Sequence, residues 1–246
     1  MLEILILGLA GGFAAQWLHQ RYFSAQAAER RVKKAIRKLP RIEQGAAWFA
    51  HKYPHIPYGR GSYGVPEVHD FKEDAKLSIG AYCSIADRVH ILLGGHHRTE
   101  WVTTYPVPYY MPEAGPLDRY DFSRGDVVIG NDVWLCSNCT ILSGITVGHG
   151  AVVAANAHVV RDVPPYAVVG GNPAKILSWR FPQEQREALL EIAWWDWPHA
   201  DIVAAGAHLC STDIQGFIAY ARQRPQLSSA PGKAEESFTV GGHATR

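Results

Sequence analysis

IGNDVW LCSNCT ILSGIT VGHGAV VAANAH VVRDVP, residues 129 to 164, is six consecutive hexads. Ile129, Leu135, Ile141, Val147, Val153 and Val159 hold the first place, and Val133, Cys139, Ile145, Ala151, Ala157 and Val163 hold the fifth. A helix repeats its apolar face every 3.6 residues and a half-buried strand every 2, so neither produces a six-residue period. A triangular parallel β-helix does. Each hexad is a short strand plus a corner, three hexads close one turn, and the first-place side chains stack in an apolar column. Burying each Ile, Leu or Val contributes roughly 1.5 to 3 kcal/mol, so the column can hold the coil together without helices. A run of unrelated hairpins would need turn pairs such as Asn-Gly, and the stretch contains none.

Upstream, IGAYCS IADRVH has Ile79, Ile85 and Ile91 in first places, with Leu77, Cys83 and Val89 in the preceding fifth places. The register breaks after Leu92. Ile91 and Ile129 are 38 residues apart, which is not a multiple of six, so the chain between them must leave the coil as an extended loop. That loop, 93–126, is dense in His, Arg, Trp and Tyr, and a long loop in a compact repeat protein is usually functional.

The remaining chain sorts around this core. Residues 1–56 form an apolar and basic helical segment, 57–178 the β-helix with its excursion, 179–222 C-terminal helices, and 223–246 a disordered tail rich in Ser, Pro, Gly and charge. Within these, 24–50 reads as one Ala-rich helix, PYGRGSYGVP at 57–66 as a linker or first corner, and 182–195 and 213–222 as helices.

The 246 residues carry 24 Lys and Arg against 23 Asp and Glu. That balance argues against a nucleic-acid scaffold, which would be distinctly basic. Cys136 and Cys139 form a CxxC, but Cys139 occupies an inward fifth place and Cys136 a second place, so the two should point differently. Residues 1–18, MLEILILGLAGGFAAQWL, fall short of the ~20 that span a bilayer, and Glu3 does not suit a signal peptide. With the basic run at 30–38 they leave three readings: a short membrane anchor, an interfacial helix on anionic lipid, or a helix packed on the protein itself. The expected location is the cytoplasm, with membrane association through residues 1–38 left open.

The hexads, the loop GGHHRTEWVTTYP, the exit VVGGNPAK and the late WWDWP together resemble the hexapeptide-repeat acetyltransferases, and within them the CatB-type xenobiotic and chloramphenicol branch. The likeness runs from about Gly59 to Pro198. It implies a left-handed β-helix, a homotrimer, and acetyl-CoA bound between neighbouring subunits, with no metal. Handedness cannot come from the repeat, because parallel crossovers are usually right-handed. The resemblance further implies that His97, in the HHR run, is the general base taking the proton of the acceptor hydroxyl, with His96 as the competing candidate. It places coenzyme contacts at Ser137, Ala155, Arg161 and Lys175; the first two are 18 residues apart, one full turn. Trp101 and Tyr105, with Tyr58 and Tyr63, are candidates for an acceptor pocket.

The expected function is therefore direct O-acetyl transfer to a hydroxyl of a sugar, a polysaccharide precursor or an antibiotic-like molecule. A non-catalytic trimeric scaffold is the alternative from another class, and retention of the HHR loop speaks against it. A zinc enzyme like the γ-class carbonic anhydrases is a further alternative, but the run WLCSNCTIL lacks the histidines that it would need. Ping-pong transfer through Cys136 or Cys139 is disfavoured by their hexad places.

Overall fold

The computed structural model describes residues 26–117 and 119–224; the apolar stretch 1–18 and the tail beyond 224 lie outside the described residues, with the readings placed on them. The chain divides into two compact units, Met1–Arg186 and Glu187–Arg246. Among the described residues no helix is long and apolar enough to cross a membrane.

The single helix expected over 24–50 is two, α1 at 26–36 and α2 at Arg41–Lys52. Pro40 breaks it, since proline lacks a backbone N–H and disfavours helical geometry in the residue before it. Helix α2 buries Phe49 completely and stacks its ring on Tyr58, with centroids 4.2 Å apart. The same helix passes so close to the backbone at Ser62 that it requires a glycine there: a Cβ on Gly45 would sit 2.1 Å from the Ser62 carbonyl oxygen.

The strands follow the hexads through three parallel sheets. The first holds β2 (Leu77–Ile79), β7 (Val127–Ile129) and β10 (Thr146–Val147). The second holds β3 (Ser84–Ile85), β8 (Trp134–Leu135), β11 (Val152–Val153) and β13 (Ala167–Gly170), and the third holds β1 (Glu67–His69), β4 (His90–Leu92), β9 (Thr140–Ile141) and β12 (His158–Val159). Successive strands pass from one sheet to the next, so Ile129 pairs with Val147, Leu135 with Val153 and Ile141 with Val159. Every first-place and fifth-place residue of the six hexads is buried, the most exposed being Ile145 at 6%. PYGRGSYGVP is a first corner rather than a linker, because Tyr58 bridges Ile79 and Tyr63 bridges Ser84 in parallel.

The corners have a rule of their own at the fourth place. Asp132, Asn138, Gly144, Gly150 and Asn156 all adopt positive φ, from 57° to 76°. Those are the residue types that tolerate left-handed backbone. Asp162, the sixth fourth-place residue, instead accepts the Thr146 N–H at 2.7 Å through its carboxylate. The excursion also obeys the coil: it leaves after β4 and returns so that β7 lies directly against β2, Leu77 opposite Val127 and Ile79 opposite Ile129. β13 then turns back through an antiparallel pairing with β14 (Lys175–Trp179), which exposes Ile176, Leu177 and Trp179.

The helix expected over 182–195 is shorter. α4 spans Gln183–Ile192, Ala193 adopts a left-handed φ of 41°, and a 3-10 turn covers Trp194–Asp196. Two short helices follow, α5 (His199–Ala204) and α6 (Gly206–Leu209), and α7 (Ile214–Gln223) accounts for the helix expected at 213–222. Within the second unit Arg224 closes the packing, 2.8 Å from the Asp201 carboxylate and 4.0 Å over the Trp197 ring.

Candidate active site

The excursion is not an open loop at its base. Leu93 is buried and donates its N–H to the His69 carbonyl at 2.9 Å, ending β4. Gly95 turns the chain outward at φ +79°, where a Cβ would lie 2.7 Å from the Phe71 ring. Its N–H reaches the buried Glu73 carboxyl at 3.2 Å, and burial raises the pKa of that carboxyl from its ordinary value. Two short antiparallel strands then clamp the loop, β5 (His96–His97) against β6 (Asp121–Phe122).

Successive residues of a strand point to opposite sides, and this separates the two histidines. His96 turns inward, with Nε2 3.0 Å from the Oγ of the buried Ser143 and its ring 5.3 Å from that of Phe122. Burial first, then the nearby Arg124 charge, lowers its pKa from the usual value. His97 turns outward and is exposed. Its Nδ1 lies 2.9 Å from the carbonyl oxygen of Thr104. A carbonyl can only accept, so Nδ1 is the donor, and in the neutral ring this leaves Nε2 with a free lone pair. Arg98 ties the two arms of the loop together, lying 4.7 Å over the Phe122 ring with its Nε 3.4 Å from the Arg119 carbonyl.

Around His97 stands an aromatic wall. Tyr120 meets the imidazole edge-on at 5.9 Å, Tyr109 contacts Tyr120 at 5.2 Å, and Tyr105 stacks on Tyr110 at 5.2 Å. Tyr105, Tyr109 and Tyr110 are 49%, 60% and 62% exposed, and Trp101 is 37% exposed on the same loop. Of these only Trp101 and Tyr105 were expected from the sequence. The run VPYY, which forms the single-turn helix α3 (Val107–Tyr110), was the available signal for Tyr109 and Tyr110.

The remaining acceptor candidates sit elsewhere. Tyr58 is occupied by packing: its ring stacks on Phe49 and its hydroxyl donates to the Gly64 carbonyl at 2.8 Å. Burial raises its pKa well above the ordinary phenol value. Tyr63 is exposed, but in the sheet of Trp134 rather than on the His97 loop.

The coenzyme candidates divide between two edges of the coil. Ser137 and Ala155 share the corner between the second and third sheets, where the Asn156 N–H donates to the Ser137 carbonyl at 3.1 Å. Arg161 follows β12, on the corner between the third and first sheets, one turn beyond Ser143. That is the corner to which His96 anchors the loop. Lys175 opens β14 opposite Gly170, just after Ala174, whose N–H donates to the His158 carbonyl at 2.8 Å. Thus Ser137 and Ala155 lie on one edge of the third sheet, and Arg161 and the root of the His97 loop lie on the other.

The three cysteines of the coil are poor nucleophiles. Cys139 is fully buried and its thiol is pushed up to about 12 by burial, Cys83 to about 11, and Cys136 is also raised. All four cysteines are free thiols. The double variant Cys136→Ser, Cys139→Ala is expected to keep wild-type turnover in an acetyl-transfer assay; loss of turnover in a correctly folded protein would restore the ping-pong route.

The family of bacterial transferase hexapeptide proteins (six repeats) matches residues 126–161. A chloramphenicol acetyltransferase of Escherichia coli is 42% identical over 180 residues, covering 66% of this chain and 86% of the relative. A probable macrolide acetyltransferase of Lysinibacillus sphaericus is 42% identical over 132 residues, covering 52% of this chain and 73% of that protein. Among solved structures, a hexapeptide-repeat acetyltransferase of Vibrio cholerae complexed with acetyl coenzyme A is 29% identical, covers 52% of this chain and 61% of that one, and superposes with a TM-score of 0.41.

Proposed function

We propose, because this chain belongs to the hexapeptide-repeat acetyltransferases and within them to the chloramphenicol acetyltransferase branch, that it moves acetyl from acetyl-CoA directly to a hydroxyl of an antibiotic-like small molecule, with His97 as general base. The observation that carries this reading is the His97–Thr104 hydrogen bond. It holds the imidazole in the tautomer whose Nε2 can accept a proton, on an exposed loop lined with tyrosines. Nε2 takes the hydroxyl proton as the oxygen attacks the thioester carbonyl. The tetrahedral intermediate then expels the coenzyme thiolate, which recovers the proton from the imidazolium.

His97 and the Ser137–Ala155 pair occupy different edges of one chain. A site that combines them draws the base from one subunit and the coenzyme contacts from the next, and this supports a homotrimer closed by head-to-tail interfaces. A left-handed sense of the coil belongs to the same reading. Arg161 and Lys175 supply positive charge for the coenzyme phosphates. The exposed rings of Tyr105, Tyr109 and Tyr110 favour an acceptor with an apolar face.

The test is release of free coenzyme A thiol from acetyl-CoA with chloramphenicol, a streptogramin, a macrolide and nucleotide- or lipid-linked sugars as acceptors. Release that depends on one of the antibiotics is expected. Release only with the linked sugars would overturn the acceptor class. Binding of acetyl-CoA without transfer to any of them would leave the acceptor unassigned and refute the antibiotic-like reading.

A further inference from the structure

We propose that Glu67, His69 and His90 form a binding site for a divalent first-row metal ion, zinc by its ligand chemistry, on the outer face of the third sheet. Glu67 and His69 are two apart on β1 and therefore project from the same side of the strand. His90, on the neighbouring strand β4, lies directly opposite Glu67 in the parallel register. The three side chains converge: their nearest ligand atoms all lie within 4.8 Å of one another. His69 Nε2 is 3.0 Å from His90 Nδ1, and a Glu67 carboxylate oxygen is 3.5 Å from that same nitrogen.

Those separations are the ones that a metal requires. A tetrahedral centre with bonds of ~2.0–2.1 Å holds neighbouring ligand atoms about 3.3–3.4 Å apart. The His69–His90 and Glu67–His90 edges bracket that value and the third pair lies within 4.8 Å, so side-chain rotation on the paired strands can bring all three atoms onto one ion. Two imidazole nitrogens and one carboxylate suit zinc, and three protein ligands leave a coordination position open to water. The cluster sits on the first two strands of a sheet ordered β1-β4-β9-β12, whereas Arg161 follows the last of them. It is thus built from residues that acetyl transfer does not use, and a bound ion would clamp the first turn of the coil to the second. Read as hexads, the sequence hid it: His69 and His90 are separated by 21 residues and neither belongs to a recognisable metal motif.

The alternative occupant of this geometry is a proton shared between His69 and His90. Calorimetric titration of zinc chloride into untagged full-length protein, stripped with a chelator and dialysed, separates the two. One saturable zinc per chain is expected, lost in His69→Ala and in His90→Ala and weakened in Glu67→Gln, with circular dichroism unchanged in each. The Glu67→Gln variant, at an exposed carboxylate, keeps the test usable should a histidine variant fold poorly. Cobalt substituted for zinc should give the ligand-field bands of a nitrogen and oxygen site. The proposal is overturned by absence of saturable zinc binding to the wild type, by binding that survives in both histidine variants, or by a sulfur-to-cobalt charge-transfer band.

Discussion

His97→Ala is expected to lower acetyl transfer by a factor of about 10² to 10⁴, the usual contribution of a positioned general base, while acetyl-CoA binding and the oligomeric state survive. The side chain is exposed, so its removal leaves no cavity in the coil and little structural cost follows. His96→Ala is the informative control. It breaks the 3.0 Å contact with Ser143 at the foot of the loop but leaves the His97–Thr104 bond without a direct change. Its effect should therefore fall on thermal stability more than on turnover. Coenzyme release measured at saturating acetyl-CoA checks both variants. Near-wild-type turnover in His97→Ala would remove the base assignment, and a larger loss in His96→Ala would transfer the role to the inward histidine.

Ile141→Ala should cost about 2–5 kcal/mol of stability, as deletion of a fully buried aliphatic does when its surroundings cannot collapse. Ile141 is completely buried and is laddered between Ile91 and Val159 in the third sheet. The two neighbours are themselves held by backbone hydrogen bonds in register, which restricts how far they can close on a void. Thr146→Ala, at an exposed sixth place, should stay within about 0.5 kcal/mol of wild type. Denaturant unfolding at one fixed chain concentration makes the comparison, because assembly would otherwise add to the apparent stability. Equal losses at the two positions would mean that the first-place column does not hold the coil together.

The contrast between Ile141 and Thr146 was readable from the hexads, and so was the departure of the chain after Leu92. A repeat places each of its residues in the same environment as the residue eighteen further on, so burial at one first place implies burial at all of them. The break at Pro40 was also written in the chain but was outweighed by the Ala-rich pattern around it. The fourth-place run of Asp, Asn and Gly was equally available, since those types tolerate left-handed corners most readily, although Tyr82 and Arg88 hold the same place in the upstream hexads at φ 58° and 57°. Tyr109, Tyr110 and Tyr120 were harder to single out. Their relevance depends on which residues of the excursion fold back towards His97, and no period governs that stretch.

By itself the sequence determined the six-residue coil, the inward places of Cys83 and Cys139, the extent of the excursion and, through resemblance, the reaction class. Only the tertiary structure decided that His96 turns towards Ser143 while His97 faces out with its Nδ1 on Thr104, that Tyr58 is spent on packing against Phe49, and that Glu67, His69 and His90 meet on one face. The physical reason is the range of the interactions. The column is built from the same short-range choice made again at every hexad, so its pattern survives in one dimension. The histidine tautomer and the ligand cluster depend on single contacts between residues whose spacing repeats nowhere, and such contacts exist only once the strands are paired.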